Sequence, residues 1–304
     1  MSRRETGRTL FILGPARSGT SLLYKALCLH SDAAYLSNYL RRLPRVPQLA
    51  VLDRLPRALP EARRAVWFGS DYSNAYVFGA KRSLLRRAFP EPMEAEPVYG
   101  ACGFPEYPWE KPAPLEVRRA RLRRTFDLVR RASGAGTLVD KRINNNWRIP
   151  LLAETLPDAR FVATVRDGRA VASSLSRVDW WEDSVAFWYG GTPRDWAAEG
   201  RDPWEMCARN WVEEVRAIEE GLAAVPAEQV LRINYENVVS APVESLRSIA
   251  DFAGLRNDER WLGELTRLRF PDKNEAWRRQ LSPDAIATIE GVQREELAGH
   301  GYPL

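Results

Sequence analysis

Near the start of the chain, the hydrophobic positions change from a strand pattern to a helix pattern. Thr9 to Leu13 is a short β-prone run, and a turn rich in Gly, Pro and Ser follows it. From Ser21 to Leu29 the apolar side chains recur at helical spacing. This pattern predicts a strand, a glycine-rich loop and a helix in direct succession.

The same alternation continues in the second half of the chain. Strand patterns cover Thr137–Asp140, Arg160–Val165 and Gln229–Ile233. Helical patterns cover Arg148–Leu156, Gly168–Ser176, Pro203–Ala224, Ala241–Ala253 and Ser282–Leu297. Alternating strands and helices predict an α/β fold, with a mostly parallel central β-sheet and helices on both of its faces.

Two stretches interrupt this alternation, at residues 40–135 and 179–204. The first is punctuated by Pro and includes the Arg-rich helical pattern Leu115–Arg131, and the second contains five Trp. Neither has the composition of a linker, so we expect residues 1–304 to form a single domain. The first stretch is expected to lie over the sheet as helices and loops, and the second to form an irregular loop or lid.

Composition sets limits on the chemistry. Apolar residues make up 45% of the chain, and the net charge of +5 suits a phosphate-bearing ligand but is too small to indicate a nucleic-acid partner. The three cysteines are widely spaced and form no disulfide or metal-binding pattern, which favours a reducing compartment. Because no apolar run is long enough for a signal peptide or a membrane span, we expect a cytoplasmic protein.

The loop from Gly14 to Ser21, GPARSGTS, stands between the first predicted strand and helix. Its glycines let the backbone wrap around an anion, and the helix N-terminus directs free N–H groups at it. The spacing is that of a Walker A loop, GxxxxGK[ST], except that Thr20 replaces the lysine and Arg17 places a cation inside the loop. A plain Gly-Pro turn is the alternative, and the context favours an anion-binding loop.

A second anion site is predicted after the strand pattern RFVATV. Arg166 ends that strand and Ser174 follows eight residues later on the next predicted helix, so both side chains can reach one phosphate. Taken alone, an ion pair between Arg166 and Asp167 with a serine capping a turn explains the same residues equally well.

Both loops resemble motifs of one protein family. GPARSGTSLL resembles the PxRSGTTLL 5′-phosphosulfate loop of the sulfotransferase superfamily, and DARFVATVRDGRAVASSLSR resembles its 3′-phosphate motif, RDPRDVxxSxxR. The segment LRINYENVVSAPVESLRSIADFAGL and the closing DKNEAWRRQLSPDAIATIEGVQREELAGHGYP resemble two later segments of that family. By these motifs the chain is identified as a member of the bacterial-type sulfotransferases.

The resemblance implies a P-loop-NTPase-like fold and transfer of a sulfuryl group from 3′-phosphoadenosine-5′-phosphosulfate (PAPS) to a hydroxyl of a small molecule such as a natural product, lipid or sugar. The product is then adenosine 3′,5′-bisphosphate (PAP), and no metal is expected because cations and N–H groups neutralise the charge. Residues 40–135 and 179–204 match no motif and are expected to shape the acceptor site. A P-loop kinase or ATPase, and a non-catalytic nucleotide-binding protein of the same fold, are the alternatives.

The resemblance also implies a set of donor-binding residues: Gly14, Pro15, Ala16, Arg17, Ser18, Gly19, Thr20 and Ser21 in the loop, then Arg166, Ser174, Tyr235, Lys273 and Asn274. Tyr235 corresponds to a residue near the adenine, although a core residue at a strand end explains it equally well. Lys273 and Asn274 correspond to a loop that closes over the nucleotide. Arg17 is expected to face the transferred group, and Lys141 resembles the lysine at the donor's leaving oxygen.

The catalytic base is expected to be a carboxylate. Cytosolic aryl and steroid sulfotransferases use a His in a segment that reads VDKRINNNWRIP here, and His30 and His300 fit packing and a terminal position instead. Tyrosylprotein sulfotransferases use a Glu whose position is Asn38 in this chain. Glu94, in EPMEAEPVYG, corresponds to the Glu of a RPxEAxxxW segment, where apolar neighbours would raise its pKa. The alternative is a surface residue in an acidic run.

Two further groups have two interpretations each. Asn144 to Asn146 either bind a ligand or form a polar turn. The aromatic side chains Trp180, Trp181, Trp188 and Tyr189 either roof an apolar acceptor or pack an insertion, and their density favours packing.

Overall fold

A parallel β-sheet forms the centre of the computed structural model, which describes residues 8–69, 72, 87–107, 109–256 and 258–304. In that part of the chain the sheet has five strands: β1 Arg8–Leu13, β2 Ala33–Ala34, β3 Thr137–Lys141, β4 Arg160–Val165 and β5 Val230–Asn234. Their order is β2-β3-β1-β4-β5, and all neighbours are parallel. The first strand is therefore the middle strand of the sheet.

Helices surround the sheet. The α-helices of the described residues are α1 Thr20–Cys28, α2 Asn38–Arg42, α3 Arg54–Ala58, α4 Pro60–Phe68, α5 Glu96–Cys102, α6 Leu115–Ser133, α7 Ile149–Thr155, α8 Gly168–Leu175, α9 Pro193–Ala198, α10 Pro203–Leu222, α11 Tyr235–Ser240, α12 Pro242–Ala253, α13 Glu259–Leu265, α14 Trp277–Gln280 and α15 Pro283–Gly299. Short 3-10 helices cover Pro47–Asp53, Ile143–Trp147, Trp181–Asp183, Ala227–Gln229 and Asn274–Ala276. Among the helices described, none is long and apolar enough to cross a membrane.

Both faces of the sheet are buried along strands β1 to β4. Leu10 and Ile12 of β1 pack with the helices on one face, and Phe11 and Leu13 pack into a second apolar cluster on the other. Phe11 stacks on Phe161 of β4 with ring centroids 5.4 Å apart. Burial on both faces explains why the strand patterns are continuous apolar runs rather than alternating ones. The predicted α/β fold with a parallel sheet is confirmed.

The Trp-rich stretch has a more regular structure than the sequence predicted. Within it, α9 starts with a capping box in which Thr192 and Asp195 bond each other's backbone N–H groups. Trp196 is fully buried and packs beside Met206 of α10. The prediction of an irregular loop or lid is wrong for residues 193–198. Trp181 and Trp196 are buried and pack the insertion, whereas Trp180 is exposed.

Residues 40–135 contain the helices α3 to α6 and part of α2, as the interpretation of this stretch as helices and loops over the sheet requires. Residues 70–71, 73–86 and 108 of this stretch lie outside the described residues. The long helix α6 corresponds to the predicted Leu115–Arg131 and continues to Ser133, where Gly134 in the left-handed conformation ends it.

Candidate functional site

The strand order places the glycine-rich loop between Lys141, which ends β3, and Arg166, which follows β4. Ile12 of β1 pairs with Lys141 at the end of β3, and Leu13 pairs with Ala163 of β4, three residues before Arg166. The loop begins at Gly14, directly after these pairs. Lys141 and Arg166 therefore flank the loop at the carboxyl ends of the strands, where parallel α/β sheets bind their ligands.

The loop itself is tightly constrained. A Cβ at Gly14 would lie 2.7 Å from the carbonyl oxygen of Thr164, and one at Gly19 would lie 2.6 Å from the ring of Tyr235. Arg17 has a left-handed backbone with φ of 70°, and Gly19 one with φ of 80°. Left-handed residues in such a loop turn successive N–H groups toward a common centre, which suits an anion.

Arg17 and Ser174 meet although they were assigned to separate anion sites. The Arg17 Nε donates to the Ser174 hydroxyl over 3.0 Å, and Ser174 lies on α8. Inside the loop the Ser18 hydroxyl is fully buried and has no hydrogen-bond partner among the described residues. A buried hydroxyl without a protein partner is costly unless a ligand bonds it.

Arg166 connects three parts of the site. Its guanidinium donates to the main-chain oxygen of Arg17 at 2.9 Å, to the main-chain oxygen of Lys273 at 3.1 Å and to the side-chain oxygen of Asn274 at 3.1 Å. It also lies over the ring of Tyr235, 4.3 Å from the centroid. Burial lowers the pKa of this guanidinium, which the Tyr235 and Glu236 side chains partly offset. The alternative, a simple Arg166–Asp167 pair, does not describe these contacts, because Asp167 bonds Arg169 instead.

The late loop is held by residues that the sequence did not single out. Asn274 donates to Glu236 at 2.8 Å, and the other carboxylate oxygen of Glu236 accepts from the hydroxyl of Tyr302 at 2.9 Å. Tyr302 belongs to the closing GYP motif. The motif therefore has a physical role, since it fixes the carboxylate that positions Asn274.

A cavity of about 210 Å³ lies among these residues. Its lining includes predicted donor-binding residues from the loop, the second anion site and the late loop: Arg17, Gly19, Arg166, Ser174, Tyr235 and Lys273. Among the lining residues that were not predicted are three polar side chains and an indole ring: Ser173, Arg177, Gln280 and Trp277. Arg177 adds a third guanidinium to the cavity, and the family pattern RDPRDVxxSxxR contains the signal that would have identified it, its final Arg.

Glu94 and Lys141, the other two predicted catalytic residues, form an ion pair. Burial alone would raise the pKa of Glu94, but the Lys141 ammonium and the Arg142 guanidinium together hold it below its ordinary value. The expected raised pKa is therefore wrong for this structure, because sequence reasoning counted the apolar neighbours and not the two cations. The surface alternative is also wrong, since the Glu94 side chain is only 25% exposed and is paired with Lys141 and Arg142.

The excluded bases are structural residues. His30 is buried, accepts at Nδ1 from the Asp32 N–H and lies with Nε2 2.7 Å from the Arg256 carbonyl oxygen, which confirms a packing role. Asn38 exchanges hydrogen bonds with the main chain of Phe89 and Glu91. Among the described residues, no three His, Cys, Asp or Glu side chains are grouped so as to hold a metal ion.

The three asparagines after β3 all bond to the protein. Asn144 donates to the Glu106 carbonyl oxygen at 3.1 Å, and Asn145 donates to Asp140 at 2.9 Å. Asn146 bonds both main-chain groups of Gly14. The three asparagines lie in the 3-10 helix Ile143–Trp147, and Asn146 joins this helix to the glycine-rich loop.

The sequence profile of the sulfotransferase family matches residues 9–259, which is most of the chain. The chain therefore belongs to the sulfotransferase family. A search of the curated proteins gives no significant match.

Solved structures agree with this assignment at the level of the fold. A sulfotransferase from Mycobacterium avium superposes with a TM-score of 0.59 at 16% identity, over 98% of this chain and 78% of that chain. A sulfotransferase from Mycobacterium tuberculosis H37Rv gives 0.51 at 16% identity, over 96% and 77%. The sulfotransferase domain from the curacin biosynthetic pathway gives 0.51 at 14% identity, over 97% and 98%. At these identities the likeness establishes the P-loop-NTPase-like fold.

Proposed function

We propose that this sulfotransferase uses PAPS as its donor and transfers the sulfuryl group to a hydroxyl of a small molecule. The observation that carries the proposal is the position of Arg166, which joins the glycine-rich loop to the late loop beside a cavity lined by two further guanidinium groups. A nucleotide with anionic groups at both its 5′ and 3′ positions fits such a site. A nucleoside triphosphate has no 3′-phosphate and would leave the second anion site without a ligand.

Each side of the loop then has its own role. The loop N–H groups and the Ser18 hydroxyl bind the 5′-phosphosulfate, with Arg17 toward the transferred group, while Arg166 and Arg177 neutralise the 3′-phosphate and Ser174 donates a hydrogen bond to it. Tyr235 lies against the loop and offers its ring edge to the adenine. Lys273 and Asn274 enclose the nucleotide from the late loop.

The chemical step is an in-line displacement at sulfur. The acceptor oxygen forms a bond to sulfur as the bond from sulfur to the 5′-phosphate oxygen breaks. The electron pair stays on that phosphate, which leaves as part of PAP, and Lys141 beside the loop neutralises the charge that develops there. No redox change occurs, and the hydroxyl proton of the acceptor must pass to a base.

Glu94 is the proposed base. Without donor, Lys141 and Arg142 hold its pKa low, so the carboxylate is ionised at neutral pH and ready to accept a proton. A phosphosulfate that draws the Lys141 ammonium toward itself leaves the effect of burial on Glu94 less opposed, so its pKa rises when donor is bound. The same lysine then couples donor binding to base strength.

Residues 40–135 and 179–204 are proposed to shape the acceptor site. Glu94 itself lies in the first of them, and its partner Arg142 is also bonded to Glu96 at the start of α5. The acceptor hydroxyl must reach Glu94, so the side chains of this stretch surround it. We further propose that residues 1–304 act as one domain, because loops from distant parts of the sequence build one cavity.

Transfer of label tests the proposal directly. The chain is incubated with PAPS that carries radiolabelled sulfate and a panel of alcohols, phenols, sugars and lipids. The expected result is a labelled product and an equal amount of PAP. Consumption of PAPS with label only in inorganic sulfate under every condition would contradict transfer to an organic hydroxyl.

Thermal unfolding separates this proposal from the kinase alternative. PAP at saturating concentration should raise the Tm, whereas ATP with Mg²⁺ should leave it unchanged, because only a bound ligand stabilises the folded chain. Stabilisation by ATP with Mg²⁺ and none by PAP would reverse the assignment.

A further inference from the structure

Asn146 holds the main chain of Gly14 at the entrance to the glycine-rich loop. The Gly14 N–H donates to Asn146 Oδ1 over 3.2 Å, and Asn146 Nδ2 donates to the Gly14 carbonyl oxygen over 3.1 Å. Both contacts are buried and join residues 132 positions apart. Because β1 ends at this point, the orientation of Gly14 sets the direction in which the loop N–H groups point.

Glu214 determines which way the Asn146 amide faces. The second hydrogen of Asn146 Nδ2 is donated to Glu214 Oε2. If the amide were reversed, its oxygen would face both the Glu214 carboxylate and the Gly14 carbonyl oxygen, and its NH₂ would face the Gly14 N–H. Glu214 therefore selects the one orientation that satisfies both main-chain groups of Gly14.

A carboxylate is an unusual residue at this position of α10. Glu214 is almost fully buried, and the same face of the helix otherwise presents mainly apolar side chains such as Trp211, Val215 and Ile218. Burial raises the pKa of Glu214 to about 7, even though Asn146 and the nearby cations oppose the shift. An apolar residue would pack there without this cost, so a role in packing alone does not explain the carboxylate.

We propose that Glu214 is a positioning residue for donor binding, which acts through Asn146 to fix Gly14 and the anion-binding loop. This inference rests on the proposed function, because the effect of Glu214 is measured as a change in the affinity for PAP. Glu214 itself is not among the residues that line the cavity.

Calorimetric titration with PAP tests the hydrogen-bonded series from Glu214 through Asn146 to Gly14. Glu214→Ala and Asn146→Ala should each weaken binding about tenfold, since each leaves buried polar groups without their partner. Glu214→Gln keeps an oxygen that accepts from Asn146 and should restore most of the affinity. The double variant Glu214→Ala/Asn146→Ala should bind no more weakly than Asn146→Ala alone, because both changes break one linked path.

A matched control separates positioning from stability. Glu264→Ala removes another buried carboxylate, which lies away from the loop. Its Oε2 atom is 2.6 Å from Nη2 of Arg63. It should lower the Tm and leave the affinity for PAP unchanged. If Glu214→Ala is insoluble, Glu214→Leu replaces it, since Leu fills a similar volume but accepts no hydrogen bond and should lose the same affinity.

Two results would overturn the inference. One is wild-type affinity for PAP in folded Glu214→Ala, or in Glu214→Leu where that variant replaces it. The other is a loss of affinity in Glu214→Gln as large as in Glu214→Ala. If the wild-type chain does not bind PAP, the proposed function is contradicted instead. The affinities of the same variants for inorganic pyrophosphate, which binds the loop without a nucleoside, then test the inference.

Discussion

At the scale of single residues, the site depends on a few buried charged side chains whose partners are already in place. Arg166 bonds three oxygen atoms of the protein, and Lys141 is paired with Glu94. Such pre-positioned charges lower the cost of reorganisation when a charged ligand arrives. Glu94 is the residue on which the proposed chemistry depends most, because no histidine replaces it.

Glu94→Gln keeps the volume of the side chain and a hydrogen bond to Lys141 but cannot accept a proton. Turnover should fall by at least about a hundredfold, the usual contribution of a general base, while the affinity for PAP stays within about a factor of three. Product formation from labelled PAPS and calorimetry measure the two quantities. Glu96→Gln, which disturbs the adjacent ion pairs only, is the matched control. Wild-type turnover in Glu94→Gln would remove this residue as the base.

At the scale of elements, the late loop is joined to the chain terminus. Asn274 bonds Glu236 at the start of α11, and Glu236 bonds Tyr302 beyond the end of α15. Three segments distant in sequence therefore meet beside Arg166. Movement of any one of them changes the wall of the cavity.

Tyr302→Phe removes the hydroxyl that holds Glu236 and leaves the ring in place. The affinity for PAP should fall about threefold to tenfold, because Glu236, which holds Asn274 of the late loop, loses one hydrogen bond. Calorimetry measures the change. Tyr39→Phe, which loses a hydrogen bond to the main chain of Ala88 instead, should bind as the wild type does. Equal affinity in Tyr302→Phe and the wild type would show that the terminus does not support the late loop.

Local elements were predictable from the sequence, and the contacts between them were not. The strand before Gly14 and the helix after Thr20 follow from short-range pattern, and both are present. The two-residue strand β2 is too short to leave a pattern. The partners of Glu94 and of Asn274 lie 47 and 38 residues away, so periodicity carries no signal for either contact. Arg17 and Ser174 were both predicted, but their contact required the strand order.

At the scale of the whole molecule, several carboxylates are buried in the fold away from the cavity. Asp53, at the end of a 3-10 helix, is fully buried, and burial raises its pKa to about 8 despite the opposing effects of Ser37 and Arg57. A carboxyl whose pKa is higher in the folded than in the unfolded chain stabilises the fold at low pH. That contribution is complete below pH 4 and is lost as the pH rises toward 8.

Asp53→Asn should therefore make the stability less dependent on pH. Between pH 5 and pH 8 the unfolding free energy of the wild type should fall by about 1 to 3 kcal/mol more than that of the variant, at up to about 1.4 kcal/mol per unit of pKa shift. Urea unfolding at both pH values gives the difference. Asp251→Asn, at an exposed position, should follow the wild type. Parallel pH profiles for Asp53→Asn and the wild type would contradict a raised pKa.

The central claim is that one cavity binds a donor through its 5′ and 3′ anionic groups together, and calorimetry with PAP and with adenosine 5′-phosphate tests it most directly. The wild type should bind PAP at least about thirtyfold more tightly, because charge-assisted bonds to the 3′-phosphate are worth about 2 kcal/mol or more. In Arg166→Ala most of that preference should disappear. Equal affinity of the wild type for the two nucleotides would contradict the account.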